Sequence, residues 1–276
     1  MRYEDLSLFI VSKGRADKLV TLESFPPEVL AITTVVVQKQ EYDNYKAACE
    51  KFGVRLVAAP QEVQHVATQR QFCTTICKTR YFGMADDDLI FSYRNEEDKL
   101  RPATPEKLRE IFDTIYNDLV NGVPAVGIST RFGNNFLEGE YSEIGRMYRI
   151  WFLDLTIYQK LNITMAPYPE FFMEDFHWIL TFLENGYKNR IYHKYAQDDK
   201  GGSNAPGGCS TYRTAALNKK AAVWLMEHHP TAVSIVSKTS KSGWEGVEKR
   251  IDVRVDWQKA YQPPRQKRIF SFKKRG

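Results

Sequence analysis

Residues 81–91 read Tyr-Phe-Gly-Met-Ala-Asp-Asp-Asp-Leu-Ile-Phe, so three adjacent carboxylates, Asp86, Asp87 and Asp88, stand between two apolar runs. Adjacent negative charges repel and Asp is a poor strand former, so folding alone gives little reason for this placement. Successive strand residues face opposite ways, which puts Asp86 and Asp88 on one side at the end of a buried strand. Two carboxylates so placed suit one hard cation, Mg²⁺ or Mn²⁺, whose shell substrate phosphates complete. The alternative is a solvated acidic turn, and the flanking hydrophobic residues weigh against it.

Two further groups carry chemistry. Ser12-Lys13-Gly14-Arg15 follows the apolar run Ser-Leu-Phe-Ile-Val at 7–11. Gly14 lets the chain turn, and Lys13 and Arg15 place two cations at the carboxyl end of a strand, where open α/β sheets bind ligands. It is an anion site in outline, or else a basic surface turn. Glu174 and Asp175 precede an apolar helical face formed by Phe176, Ile179, Leu180 and Leu183. Carboxylates at a helix amino end are stabilised by its dipole, so they are either caps or a general base facing the cation.

The elements that must hold these groups alternate. Strands are expected at 7–11, 31–37, 54–58, 81–85, 125–129, 147–152, 190–195 and 232–236, and helices at 42–52, 63–79, 104–122, 154–161, within 170–187 and at 215–227. Thr104 as N-cap and Pro105 in the first turn make the helix after 104 the clearest. Strands alternating with helices imply parallel pairing with right-handed crossovers. Residues 92–103 and 130–146 are expected as loops, Arg131 and Arg146 in the second being surface or phosphate-contacting arginines. Residues 197–210, with Gly201, Gly202, Gly207, Gly208 and Pro206, are too small and polar for a core and suit a lid or a connector.

At 276 residues and 43% hydrophobic, the chain can bury the core of one large α/β domain or two small ones, and 13% aromatic content argues against disorder. No apolar stretch approaches the ~20 residues that span a bilayer, and the N-terminus lacks a signal peptide, so a cytoplasmic location is expected. Cys49, Cys73, Cys77 and Cys209 are too few for a disulfide scaffold and are expected as reduced thiols. The net charge of +5 is concentrated in residues 265–276, which hold six basic residues and no acidic one. Interleaved with Ile269, Phe270 and Phe272, that tail suits a nucleic-acid contact or a solvated end.

Taken in order, these pieces resemble GT-A-fold glycosyltransferases. Asp86-Asp87-Asp88 stands where that family has its Asp-any-Asp motif and Glu174-Asp175 where it has Glu-Asp. More narrowly, Ser12-Lys13-Gly14-Arg15, the acidic triplet and the glycine-rich loop are similar to the phage TET-associated glycosyltransferases, which decorate 5-hydroxymethylpyrimidines in DNA. The likeness spans about residues 7–210. It implies an α/β, GT-A-like fold with a central, mostly parallel mixed sheet flanked by helices. Residues 1–276 would form one domain, with a nucleotide-sugar half (1–128), an acceptor half (129–260) and a basic tail (261–276). It implies a UDP-sugar donor and a DNA acceptor, 5-hydroxymethylcytosine foremost, in a phage-infected cell. Donor-binding residues would be Ser12, Lys13, Gly14, Arg15, Arg70, Asp86 and Asp87; metal ligands Asp86, Asp88 and His193; and Asp175, supported by Glu174, the base of an inverting reaction. Rival readings are a non-DNA acceptor, a sugar nucleotidyltransferase, a two-metal nuclease and a non-catalytic DNA-binding module.

Overall fold

The computed structural model describes residues 2–134, 139–200, 212–239 and 249–263. Twelve strands are present among them: β1 (Leu6–Val11), β2 (Thr33–Gln38), β3 (Arg55–Ala59), β4 (Tyr81–Ala85), β5 (Leu89–Arg94), β6 (Leu100–Pro102), β7 (Ala125–Thr130), β8 (Tyr141–Glu143), β9 (Ile150–Asp154), β10 (Asn189–Asp199), β11 (Val233–Thr239) and β12 (Lys249–Val255). The main sheet runs β3-β2-β1-β4-β9-β7-β10-β5-β6, with β8 also on β10. From the pairings, β3, β2, β1, β4, β7 and β10 all point one way, while β9 and β5 run against them. The sheet is continuous across residue 128, which lies within β7.

Strands buried on both faces read as unbroken apolar runs. Every residue of β2 and of β4 is buried. Along β1, Leu8 and Ile10 enter one core with Leu108, Ile111 and Phe112 of the helix Pro105–Val120, while Phe9 and Val11 enter the other with Trp151 and Trp178. Thr104 Oγ1 accepts from Lys107 N at 3.3 Å, the cap expected from the sequence. At Gly83 in β4 an added Cβ would lie 2.5 Å from the Phe152 ring. Gly83→Ala is therefore expected to lower stability by about 1–3 kcal/mol, measured by urea denaturation, since the strand feeding the acidic triplet has no room to shift.

Several segments differ from expectation; the expected loop at 130–146 contains the helix Arg131–Asn134 and β8, which pairs with β10. Residues 92–103 are not a loop: β5 runs to Arg94, and Arg94↔Leu100 and Ser92↔Pro102 pair β5 with β6. The short turn Asn95–Lys99 carries Asp98 at φ 58, so alternation was interrupted only locally. Strand β10 continues through Gln197, Asp198 and Asp199, which pair with Phe91, Ile90 and Leu89. Lys249–Val255, too basic to suggest a strand, pairs along its length with β11. No described helix is long and apolar enough to cross a membrane. Cys49 and Cys73 are buried thiols. Cys209, the glycine-rich residues 201–210 and the basic tail from 265 lie outside the described residues.

Candidate active site

The carboxyl ends of β1 and β4 are neighbours because the two strands pair directly, Ile10 beside Ala85. Both acidic and basic groups therefore emerge at one sheet edge. After β1 the chain turns at Gly14, whose φ of 67° is a conformation that costs other residues a steric penalty. Gly14 N donates to Glu41 Oε1 at 2.9 Å, and Arg15 N to the Tyr45 hydroxyl at 2.9 Å. Ser12 is buried, hydrogen-bonded to Tyr45 Oη at 2.8 Å and to Asp87. The Arg15 guanidinium spans Asp87 Oδ1 and Asp88 Oδ2, each at 2.8 Å. Lys13 lies over the Tyr212 ring, 5.9 Å from its centroid.

The triplet's backbone is held as tightly as its side chains. Thr21 Oγ1 donates to Asp86 O at 2.7 Å and accepts from Leu89 N at 2.8 Å, and Asp86 N donates to Arg149 O at 2.8 Å. Burial pushes the Asp87 carboxyl up to about 6, against the pull of Ser12 and Arg15. An acid whose folded value exceeds its unfolded one binds more protons when folded, so its contribution to stability is lost as pH rises from about 4 to about 6. Asp87→Asn is expected to flatten the stability profile across that window, read as thermal midpoint against pH.

Arg70, on the helix Val66–Ile76, is buried and bridges the two acidic groups: its Nη2 is 2.5 Å from Asp86 Oδ1 and its Nη1 pairs with Glu174. Burial also raises the carboxyls of Asp86 and Glu174, with Arg70 opposing the shift in each. Glu174 Oε2 is buried with no hydrogen-bond partner among the described residues. Asp175 instead faces Arg146, 2.8 Å from Nε and 2.7 Å from Nη2. Arg146 stacks over Phe176, 3.9 Å from the centroid. The helix Glu174–Glu184 is tethered by a part-buried chain: His177 Nδ1 meets His229 Nε2 at 2.8 Å, and His229 Nδ1 meets Glu184 Oε2 at 2.8 Å. Burial, reinforced by His229, pushes His177 down to about 3, so it is neutral there.

Several site residues had no signal in the sequence. Arg149 sits at φ 66° after the expected loop, and its guanidinium reaches Asp199 at 2.9 Å and Asp198 at 3.5 Å. Lys200 N donates to Asp88 O at 3.0 Å, so the end of β10 joins the acidic edge. Only the strand pairing of Asp199 with Leu89 could reveal this, and pairing is not a local pattern. Tyr45, buried in the first turn of the helix Tyr42–Phe52, and Tyr212, whose hydroxyl accepts from Val66 N at 3.1 Å, were likewise silent as site residues.

The structure does not bring His193 to this cluster. It is buried, with Nε2 2.9 Å from Ser142 Oγ, and lies six residues before Asp199. Its Nε2 is engaged by Ser142 and its backbone N by Glu140 O at 2.7 Å, and among the described residues it joins no group of three His, Cys, Asp or Glu able to hold a metal.

A family model described as TET-Associated Glycosyltransferase matches residues 6–208. The chain belongs to that family. This glycosyltransferase is 24% identical over 234 residues, 78% of each chain, to the Beta-glucosyl-HMC-alpha-glucosyl-transferase of Enterobacteria phage T6. Among solved structures it resembles S. aureus TarS in complex with UDP-GlcNAc, with a TM-score of 0.53, 11% identity, and coverage of 80% of this chain and 66% of that one. It also resembles M. tuberculosis glucosyl-3-phosphoglycerate synthase in complex with Mn²⁺, UDP and phosphoglyceric acid, with a TM-score of 0.55, 9% identity, and coverage of 91% and 86%. The chain spans about two thirds of the length of the TarS structure. At these identities the two structures establish the fold, that of GT-A glycosyltransferases.

Proposed function

We propose that this glycosyltransferase moves a sugar from a UDP-sugar to the hydroxyl of a 5-hydroxymethylpyrimidine, 5-hydroxymethylcytosine first, in phage DNA within the infected cell's cytoplasm. The observation that carries the reading is the meeting, at one carboxyl edge, of the Ser12–Arg15 turn, Asp86–Asp88 and Glu174–Asp175. Family membership and the HMC in the T6 relative's name support the acceptor.

Asp86 and Asp88 offer hard oxygen donors, but no three His, Cys, Asp or Glu among the described residues converge to hold a metal. Such a set fits Mg²⁺ or Mn²⁺ completed by diphosphate oxygens rather than a closed protein cage. When bound, the ion would neutralise charge growing on the departing diphosphate. Lys13 and Arg15 bind that diphosphate from the first-strand turn, and Asp87, fixed by Ser12 and Arg15, orients the donor's ribose or sugar. Arg70 holds Asp86 and Glu174 in place and keeps positive potential beside the leaving group. The acceptor is a primary alcohol with a pKa far above neutrality, so a carboxylate must take its proton as the new bond forms. Asp175 is that base, oriented by Arg146. Glu174, buried against Arg70, supports the site rather than exchanging protons. His193, hydrogen-bonded to Ser142, has no role in this reading.

The name of the T6 relative favours a second reading, in which the accepting hydroxyl belongs to a glucose already on the base. The test incubates the enzyme with Mn²⁺, a panel of nucleotide sugars and DNA containing unmodified cytosine, 5-hydroxymethylcytosine or its β-glucosylated form, followed by nucleoside mass measurement. A gain of one sugar on 5-hydroxymethylcytosine supports the first reading, a gain only on the glucosylated base supports the second, and no gain on any DNA excludes both.

A further inference from the structure

The sheet edge beyond β10 carries a second charged surface. A cleft of about 430 Å³ is lined by Arg94, Asp98, Lys99, Leu100 and Arg131. Its arginines are built in from opposite sides. Arg94 donates to Asp98 O at 2.7 Å and Asn134 O at 2.9 Å, which fixes the β5–β6 turn against the segment after β7. Arg131 Nη1 donates to Ser92 Oγ at 3.2 Å, so its guanidinium lies across the strand floor. Lys99, 64% exposed, meets Glu97 at 3.0 Å, a pair in open solvent that is weak enough to yield to another anion. Next along the chain from Arg131 is Phe132, 94% exposed, a large bare aromatic ring that no fold requirement explains.

We infer that this cleft and Phe132 form the docking surface for the acceptor polynucleotide, Lys99 and Arg131 on its phosphates and Phe132 against a base. The inference rests on the DNA-acceptor reading above and adds the surface that would hold the strand. Position supports it. β5 leaves the acidic edge directly at Leu89, and Ser92 lies four residues beyond Asp88, about 13 Å away at ~3.3 Å per residue. Since nucleotides rise ~3.4 Å along a strand, a target base at the edge leaves its neighbours within reach of the cleft. Chemistry supports it as well. Open clefts with cations beside exposed aromatic rings match a chain that alternates phosphates and flat bases, whereas a small free anion needs neither the length nor the ring.

The test measures binding of a fluorescent single-stranded oligonucleotide of about 20 nucleotides, by anisotropy across a salt series, with the full chain. The Lys99→Gln/Arg131→Gln pair is expected to lower the slope of log affinity against log salt by about 1.4, from ~0.7 per phosphate contact on single strands. Phe132→Ala is expected to weaken binding about tenfold with the slope unchanged, as loss of one stacked base would do. In all variants the affinity for UDP in the presence of Mn²⁺, read by titration calorimetry, should match wild type, since the donor edge is untouched. Unchanged affinity and slope in the variants overturns the inference, as does affinity lost only on deleting residues 265–276. If wild type binds DNA through the cleft yet transfers no sugar to it, the docking surface stands and the DNA-acceptor reading falls.

Discussion

Asp88→Asn should cut kcat/KM for sugar transfer by about a thousandfold or more, equivalent to roughly 4 kcal/mol of transition-state stabilisation. Asn keeps the side-chain volume and removes the charge. The fold should survive, because Asp88 stands at the edge and Arg15 keeps its second partner, Asp87. The measurement separates two effects. Titration calorimetry with UDP should show affinity rising with Mn²⁺ for the wild type and nearly flat for the variant. A variant that keeps both full turnover and the Mn²⁺ dependence of UDP affinity would falsify the assignment of Asp88 to the ion.

Arg70→Met should be the most destabilising single change near the site, by about 3–5 kcal/mol at neutral pH, because it strands Glu174 in the core and takes the cation from Asp86. The loss depends on pH with a definite sign. Without Arg70 the Glu174 carboxyl, already raised by burial, rises further. A raised folded value means stability falls as pH increases, so the variant should be less damaged at pH 5, where Glu174 can carry a proton, than at pH 8. Arg70→Met combined with Glu174→Gln should recover a large part of the loss, since no charge is then left unpaired. Urea denaturation at both pH values reads all of this. If the single variant is equally stable at pH 5 and 8, the ion pair is not what holds Glu174. Activity should stay low in the double variant, because Asp86 still lacks its partner.

The sequence by itself determined most of the strands and helices and where the acidic and basic groups leave them. Apolar runs such as Tyr81–Ala85, and the Thr104-Pro105 start of a helix, are local patterns that depend on the next few residues. Tertiary structure decided which charges meet. Arg70 lies 104 residues from Glu174 and Arg149 is remote from Asp199, and each pair exists only because the fold brings separate helices and strands to one edge. It also decided that β10 continues to Asp199, carrying its carboxylates to the edge and leaving His193 within the sheet beside Ser142. Strand length there is set by pairing with Leu89–Tyr93, a long-range partner that residues 197–199, polar and turn-like in composition, do not announce.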